Sequence, residues 1–150
     1  MLLSKWNLIG KYVLHLRHSL TLSLDFSKHD RMKDLKNFDV IIVGGSYSGL
    51  AAGMALGRSL RCVLIIDSGK PCNRQTPHSH NFITQDGKTP KEIATLAKQQ
   101  VEKYETVTFF NGLAANGVKT KSGFEILTSS GETFVAKKII FATGIKDIMA

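Results

Sequence analysis

The sequence predicts an α/β fold: a parallel sheet packed with helices and extended by a small antiparallel meander. Three features predict it. A continuous β-branched run at residues 40–43 breaks off into glycines, a helix-forming stretch leads to a second apolar strand that ends in an acid, and later short strands are separated by Lys-Ser-Gly and Ser-Ser-Gly turn signals.

The elements follow in order from residue 37. Val40, Ile41, Ile42 and Val43 form an apolar run of the kind expected of a parallel strand buried on both faces. Gly44, Gly45 and Gly49 come next, and residues 50–60, rich in Ala, Leu and Met, read as a helix. Residues 62–66 are a second apolar strand closed by Asp67. Residues 90–104 read as a second helix, with Thr89 as N-cap, Pro90 in the first position and Ile93, Leu96, Ala97 and Val101 at helical spacing. Short strands are expected at 106–110 and, as a meander, at 118–121, 123–128 and 132–136. Ile139, Ile140 and Phe141 make a last apolar strand that runs into Ala142, Thr143 and Gly144.

Composition sets the outer limits. The 150 residues are 43% hydrophobic and 21% charged, with eight Phe, three Tyr and one Trp, enough for one packed domain and too few for a complete two-domain enzyme. Disorder is excluded on the same grounds. Cys62 and Cys72, separated by nine residues, form neither a CxxC pair nor a zinc ligand set, so a reducing, cytoplasmic setting is expected.

The net charge of +8 divides unevenly: residues 1–36 hold seven Lys/Arg against three Asp, and residues 37–150 hold thirteen against nine acids. No aromatic-interleaved basic stripe marks the body as a nucleic-acid binder. Within 1–36, Trp6, Ile9, Val13, Leu16 and Leu20 could share one helix face, and no acid precedes Asp25. No apolar run there is long enough to cross a bilayer. Lys11 and Arg17 interrupt the apolar stretch, and no small-residue cleavage site follows, which argues against a signal peptide. Residues 1–36 are therefore read as an extension outside the domain, with Met32 a natural start. His15, His18 and His29 lack cysteine or carboxylate partners at ligand spacing, and no metal site is expected.

The strand, glycines, helix, strand and terminal acid have a common chemical reason in dinucleotide binding. Gly44 permits the tight turn off the strand, the helix amino end offers free N–H groups to a pyrophosphate, and Gly49 lets the helix approach the strands, a face that Ala51, Ala52 and Gly53 continue. Asp67 can accept hydrogen bonds from the adenosine ribose, and its charge would repel a 2′-phosphate, so FAD or NAD is preferred to NADP. One position departs from G-x-G-x-x-G: the middle glycine is Ser46, which fits if its backbone stays in an ordinary region, its hydroxyl then free to reach a phosphate.

The segments GGSYSGL, GKPCNRQTPHSHNFITQDG and KKIIFATG resemble those of the thioredoxin reductase-like FAD/NAD(P)-dependent oxidoreductases, in the pyridine nucleotide-disulfide oxidoreductase family. The resemblance spans residues 37–147. It implies a Rossmann-like FAD/NAD(P)-binding domain in which Gly44, Gly45, Ser46 and Gly49 hold the FAD pyrophosphate, Asp67 the ribose, and Thr143 with Gly144 pass close to the cofactor. The loop carrying Asn73 and His80 would approach the flavin, although His80 also fits a local loop hydrogen bond.

Complete members of this family add an NAD(P)H-binding domain after the ATG strand and then return to finish the FAD domain. Residues 37–150 are accordingly expected to be the first segment of an FAD domain left incomplete at the C-terminus. The implied activity passes electrons from NAD(P)H through FAD to a protein disulfide or a small-molecule acceptor, with a homodimer a candidate assembly at full length and no integral membrane partner. No residue is assigned as a catalytic acid, base or nucleophile. Cys62 reads as a core residue and Cys72 as an unpaired loop thiol. An inactive nucleotide-binding fragment or remnant and an FAD-dependent monooxygenase remain as alternatives, while the meander and ATG count against an NAD-linked dehydrogenase.

Overall fold

A computed structural model describes residues 37–145. The amphipathic pattern around Trp6 and Val13 lies outside the described residues. By contacts the chain divides into two units, 1–35 and 36–150, and the described residues belong to the second.

The elements are β1 (Asn37–Val43), α1 (Tyr47–Arg58), β2 (Val63–Asp67), α2 (Pro90–Val101), β3 (Val107–Asn111), β4 (Ala114–Lys119), β5 (Phe124–Thr128) and β6 (Thr133–Phe141). The six strands form one mixed sheet in the order β3-β2-β1-β6-β5-β4. β1 lies parallel to β2, with Val40 opposite Val63, and parallel to β6, with Ile41 opposite Ile139. β3 adds in parallel beside β2. β4, β5 and β6 run antiparallel to one another. The expected Rossmann-like α/β fold with its meander is present, and the structure joins the two parts in a way the sequence reading did not.

Strands expected separately at 132–136 and 139–141 are one strand. Its first half pairs with β5, Leu127 opposite Thr133 and Phe124 opposite Ala136, while Val135 to Phe141 pairs with β1. Lys137 and Lys138 looked like a break because consecutive lysines suit a loop. Both are exposed on the strand, and the Lys137 ammonium reaches the Asp39 carboxylate at 2.7 Å.

Burial explains the remaining elements. Val40, Ile42, Val63 and Ile65 pack with Leu50, Val101 and Val107 in one core cluster, and Ile41, Leu64 and Ile66 at the intervening positions are also buried. The all-apolar strands thus match burial at successive positions. α1 buries Gly49, Leu50, Gly53 and Gly57, a stripe of glycines every fourth residue. A Cβ on Gly53 would press on Ile65, and one on Gly57 on Tyr104 and Val107. Ala51, expected on this face, is exposed instead. In α2, Thr89 and Glu92 form a reciprocal capping box and Pro90 occupies the first turn; Ile93 and Val101 are buried, whereas Leu96 is exposed.

Candidate dinucleotide site

Parallel pairing puts the carboxyl ends of β1, β2 and β6 on one edge of the sheet, where α/β folds bind ligands. A groove of about 430 Å³ opens there. The turn from Gly44 to Ser46, the first residues of α1, Asp67, the start of the β2–α2 loop, the Gly112–Ala114 turn and Ala142–Gly144 line it.

The glycine-rich turn is shaped by close backbone approach. Gly44 has a φ of +106°, a conformation that disfavours side chains, and a Cβ there would run into the Ala142 carbonyl. Its N–H donates to the Ile66 carbonyl at 2.8 Å, and the Ala142 N–H donates to Val43 at 2.8 Å, so both neighbouring strands hold the turn. A Cβ on Gly49 would overlap the Gly44 carbonyl oxygen. α1 therefore begins directly against the turn, three residues earlier than the expected Leu50.

Ser46 caps α1 with φ −87° and ψ −163°, ordinary extended backbone. That is the condition under which a serine can replace the middle glycine. Its carbonyl accepts from Leu50 N–H at 2.8 Å, and its side chain makes no capping bond. The first turn of a helix has N–H groups without intrahelical acceptors, and here those of Tyr47 and Ser48 belong to groove-lining residues. Such an end favours an anion.

Asp67 ends β2 beside this turn. Its Oδ1 accepts the Gly45 N–H at 3.1 Å, and a Cβ on Gly45 would lie 2.8 Å from that of Asp67. The bond leaves Oδ2 without a hydrogen-bond partner among the described residues. Gly112 N–H donates to the Asp67 carbonyl at 2.9 Å, bringing the β3–β4 turn alongside. The residues present therefore fit a dinucleotide: a turn too tight for side chains, helix N–H donors and one oriented carboxylate within a single groove.

Of the residues named from sequence, Gly44, Gly45, Ser46, Asp67, Asn73, Thr143 and Gly144 line the groove, and Gly49 supports its floor. His80 is exposed and is not among the lining residues. The histidine with a loop hydrogen bond is His78, whose Nδ1 lies 3.0 Å from the Gly87 carbonyl. Tyr47, Ser48, Lys70, Cys72 and the Gly112 turn line the groove without having been anticipated. An earlier helix start would have included Tyr47 and Ser48, and Lys70 and Cys72 adjoin Asn73 in the quoted loop segment; no local signal marks the Gly112 turn.

Both cysteines are free. Cys72 is exposed beside Gly144, whose added Cβ would lie 3.0 Å from Sγ. Cys62 is a half-buried residue just ahead of β2, a correction to its expected place in a buried strand. Burial pushes its thiol above the usual range, and the neighbouring Asp39 charge adds to the effect. The Asp39 carboxylate itself is held below the usual range by Lys137 and by the Cys62 N–H, which donates to it at 3.1 Å. Among the described residues, no group of three or more His, Cys, Asp or Glu could hold a metal ion, and no helix is long and apolar enough to cross a membrane.

Residues 38–149 match the family described as pyridine nucleotide-disulphide oxidoreductase. Thioredoxin reductase aclD of Aspergillus oryzae is 36% identical over 113 residues, which are 73% of this chain and 36% of that protein. Thioredoxin reductase sirT of Leptosphaeria maculans is 32% identical over 117 residues, 75% of this chain and 35% of the relative. The crystal structure of an oxidoreductase from Agrobacterium tumefaciens superposes with a TM-score of 0.73 at 39% identity, covering 75% of this chain and 38% of that one. The chain thus spans about a third of the length of the curated relatives it matches. On these matches, the chain belongs to the pyridine nucleotide-disulphide oxidoreductase family.

Proposed function

We propose that residues 37–150 form the first segment of the FAD-binding domain of a thioredoxin reductase-like flavoprotein. In this reading, electrons pass from NAD(P)H through FAD to a disulfide or another acceptor. The observation that carries it is the single groove in which the α1 amino end, the Gly44 turn and Asp67 meet. Gly44, Gly45 and Ser46, with the N–H groups of Tyr47 and Ser48, would hold the pyrophosphate, and Asp67 Oδ2 would accept from the ribose hydroxyls. Thr143 and Gly144 would border the cofactor at the end of β6, with Asn73 and His80 assigned to the flavin side. FAD held there would supply two-electron redox chemistry between a nicotinamide donor and the acceptor.

The protein's part is to bind and orient. The relatives named thioredoxin reductases support a disulfide acceptor, and the two free cysteines accord with a reducing, cytoplasmic setting. FAD titrated into the purified chain, followed by flavin fluorescence and the visible spectrum, tests the binding step. Saturable uptake supports the reading; a colourless protein that does not retain FAD overturns it. NADH and NADPH added anaerobically to the FAD-loaded chain would then show by flavin bleaching whether either one reduces it.

A further inference from the structure

Residues 68–89 join β2 to α2, and this connection contains neither helix nor strand. Connections longer than about 12–15 residues without such structure are uncommon in compact domains and often functional. This one is folded on itself. Ser79 N–H donates to Lys88 O at 2.7 Å, Gly87 N–H to Ser79 O at 2.8 Å and Asn81 N–H to Asp86 Oδ1 at 2.7 Å. Its tip is strained, with left-handed φ values of 56° at Asn81 and 67° at the β-branched Thr84. Between them Phe82 and Ile83 are 44% and 86% exposed.

The tip of this loop meets the start of α1 at Tyr47. The Tyr47 ring lies edge-on to Phe82, centroids 6.5 Å apart, and its hydroxyl donates to the Pro90 carbonyl at 3.3 Å. Tyr47 is also the first residue of α1 and lines the groove. Its backbone therefore belongs to the phosphate end of the site, while its side chain touches both the loop tip and the start of α2.

We infer that Tyr47 is a positioning residue that couples occupancy of the groove to docking of the 68–89 loop. The inference rests on the dinucleotide reading above. A ligand held by the α1 amino end fixes the Tyr47 backbone and so favours the ring position that docks Phe82. By reciprocity, a docked loop tightens binding of that ligand.

Trypsin cleavage of the full chain after Arg74 and Lys88, both exposed in the loop, reads the coupling directly. Saturating FAD should slow cleavage of the unaltered protein. Tyr47→Ala should abolish that protection and, without nucleotide, be cleaved about three- to tenfold faster, the scale of a lost aromatic pair. Phe82→Ala should do the same from the loop side while leaving α1 intact, which covers the case in which Tyr47→Ala fails to fold. Tyr47→Phe keeps the ring and should retain most of the protection. FAD binding with unchanged cleavage, or intact protection in Phe82→Ala, overturns the coupling and leaves the dinucleotide reading standing. No FAD binding by the unaltered protein overturns both.

Discussion

Replacing Gly49 by alanine sets two effects of opposite sign against each other. Helix propensity alone would stabilise the variant by about 1 kcal/mol, because glycine is that much worse than alanine within a helix. Packing opposes it. The new Cβ would overlap the Gly44 carbonyl oxygen and sit 2.9 Å from its carbon. Gly44 has little room to retreat, since its N–H is bonded to Ile66 and the space beside it, where a Cβ would stand, is taken by the Ala142 carbonyl. Overpacking costs about 1–3 kcal/mol where side chains can adjust, and an obstacle made of backbone belongs at or above the upper end. We therefore expect Gly49→Ala to lose about 2 kcal/mol or more net, a large share of a typical 5–15 kcal/mol stability. Gly53→Ala is the comparator: the one tight contact of its Cβ would be with Ile65 Cδ1 at 2.7 Å, a methyl that can rotate away, with Val101 Cγ1 at an ordinary 3.5 Å. Urea unfolding of the three proteins, with the slope checked for constancy, gives the differences. A Gly49→Ala protein as stable as the parent, or no less stable than Gly53→Ala, would refute the argument that α1 is seated by backbone contact with the turn.

Three other outcomes follow from named contacts. Asp67→Ala removes the acceptor of the Gly45 N–H and the proposed ribose ligand, so FAD affinity should fall about tenfold or more, as for hydrogen bonds to a charged group; unchanged affinity by fluorescence titration would remove Asp67 from the site. Ser46→Gly restores the regular glycine motif but should bring no gain in affinity, because Ser46 is already extended; it should instead lower the unfolding free energy read from urea curves by about 0.5–1 kcal/mol, through added chain entropy. The Asp39 carboxylate is depressed by Lys137 and by the Cys62 N–H, so its contribution to stability is complete above the ordinary carboxylate range and is lost as pH falls through the lowered value; in Lys137→Ala, carboxyl titration by NMR should move Asp39 upward, toward the ordinary value.

The central unit was legible because burial and backbone approach leave strong marks in sequence. A parallel strand covered on both faces must be apolar at successive positions, as residues 40–43 are, and the turn after it needs Gly44. Ser46 was readable conditionally, and its extended backbone meets the condition. The glycine stripe of α1 was only half visible: the compositional run of Ala51, Ala52 and Gly53 drew attention from the four-residue spacing of Gly49, Gly53 and Gly57. β6 was divided because Lys137 and Lys138 resemble a loop, whereas at the carboxyl half of this strand outward positions tolerate charge. Asn73 and His80 were named from the family resemblance alone; which residues of that loop reach the groove depends on how the 68–89 loop lies, and that is set by contacts distant in sequence.

The continuity of β6 has a consequence for the order in which the chain can assemble. β1 finds β2 after a short connection through α1, since Val40 opposes Val63. Its other edge is closed only by a strand almost a hundred residues later, where Asn37 opposes Val135. Distant pairings form slowly because the intervening loop must close first. During synthesis, the β1 edge therefore stays unpaired until the ribosome has released residues up to Phe141. An exposed edge of Val and Ile is a template for association with other chains. A nascent polypeptide stopped before β6 would carry the glycine-rich turn and its two flanking strands, but with the central strand of the sheet left as a sticky border.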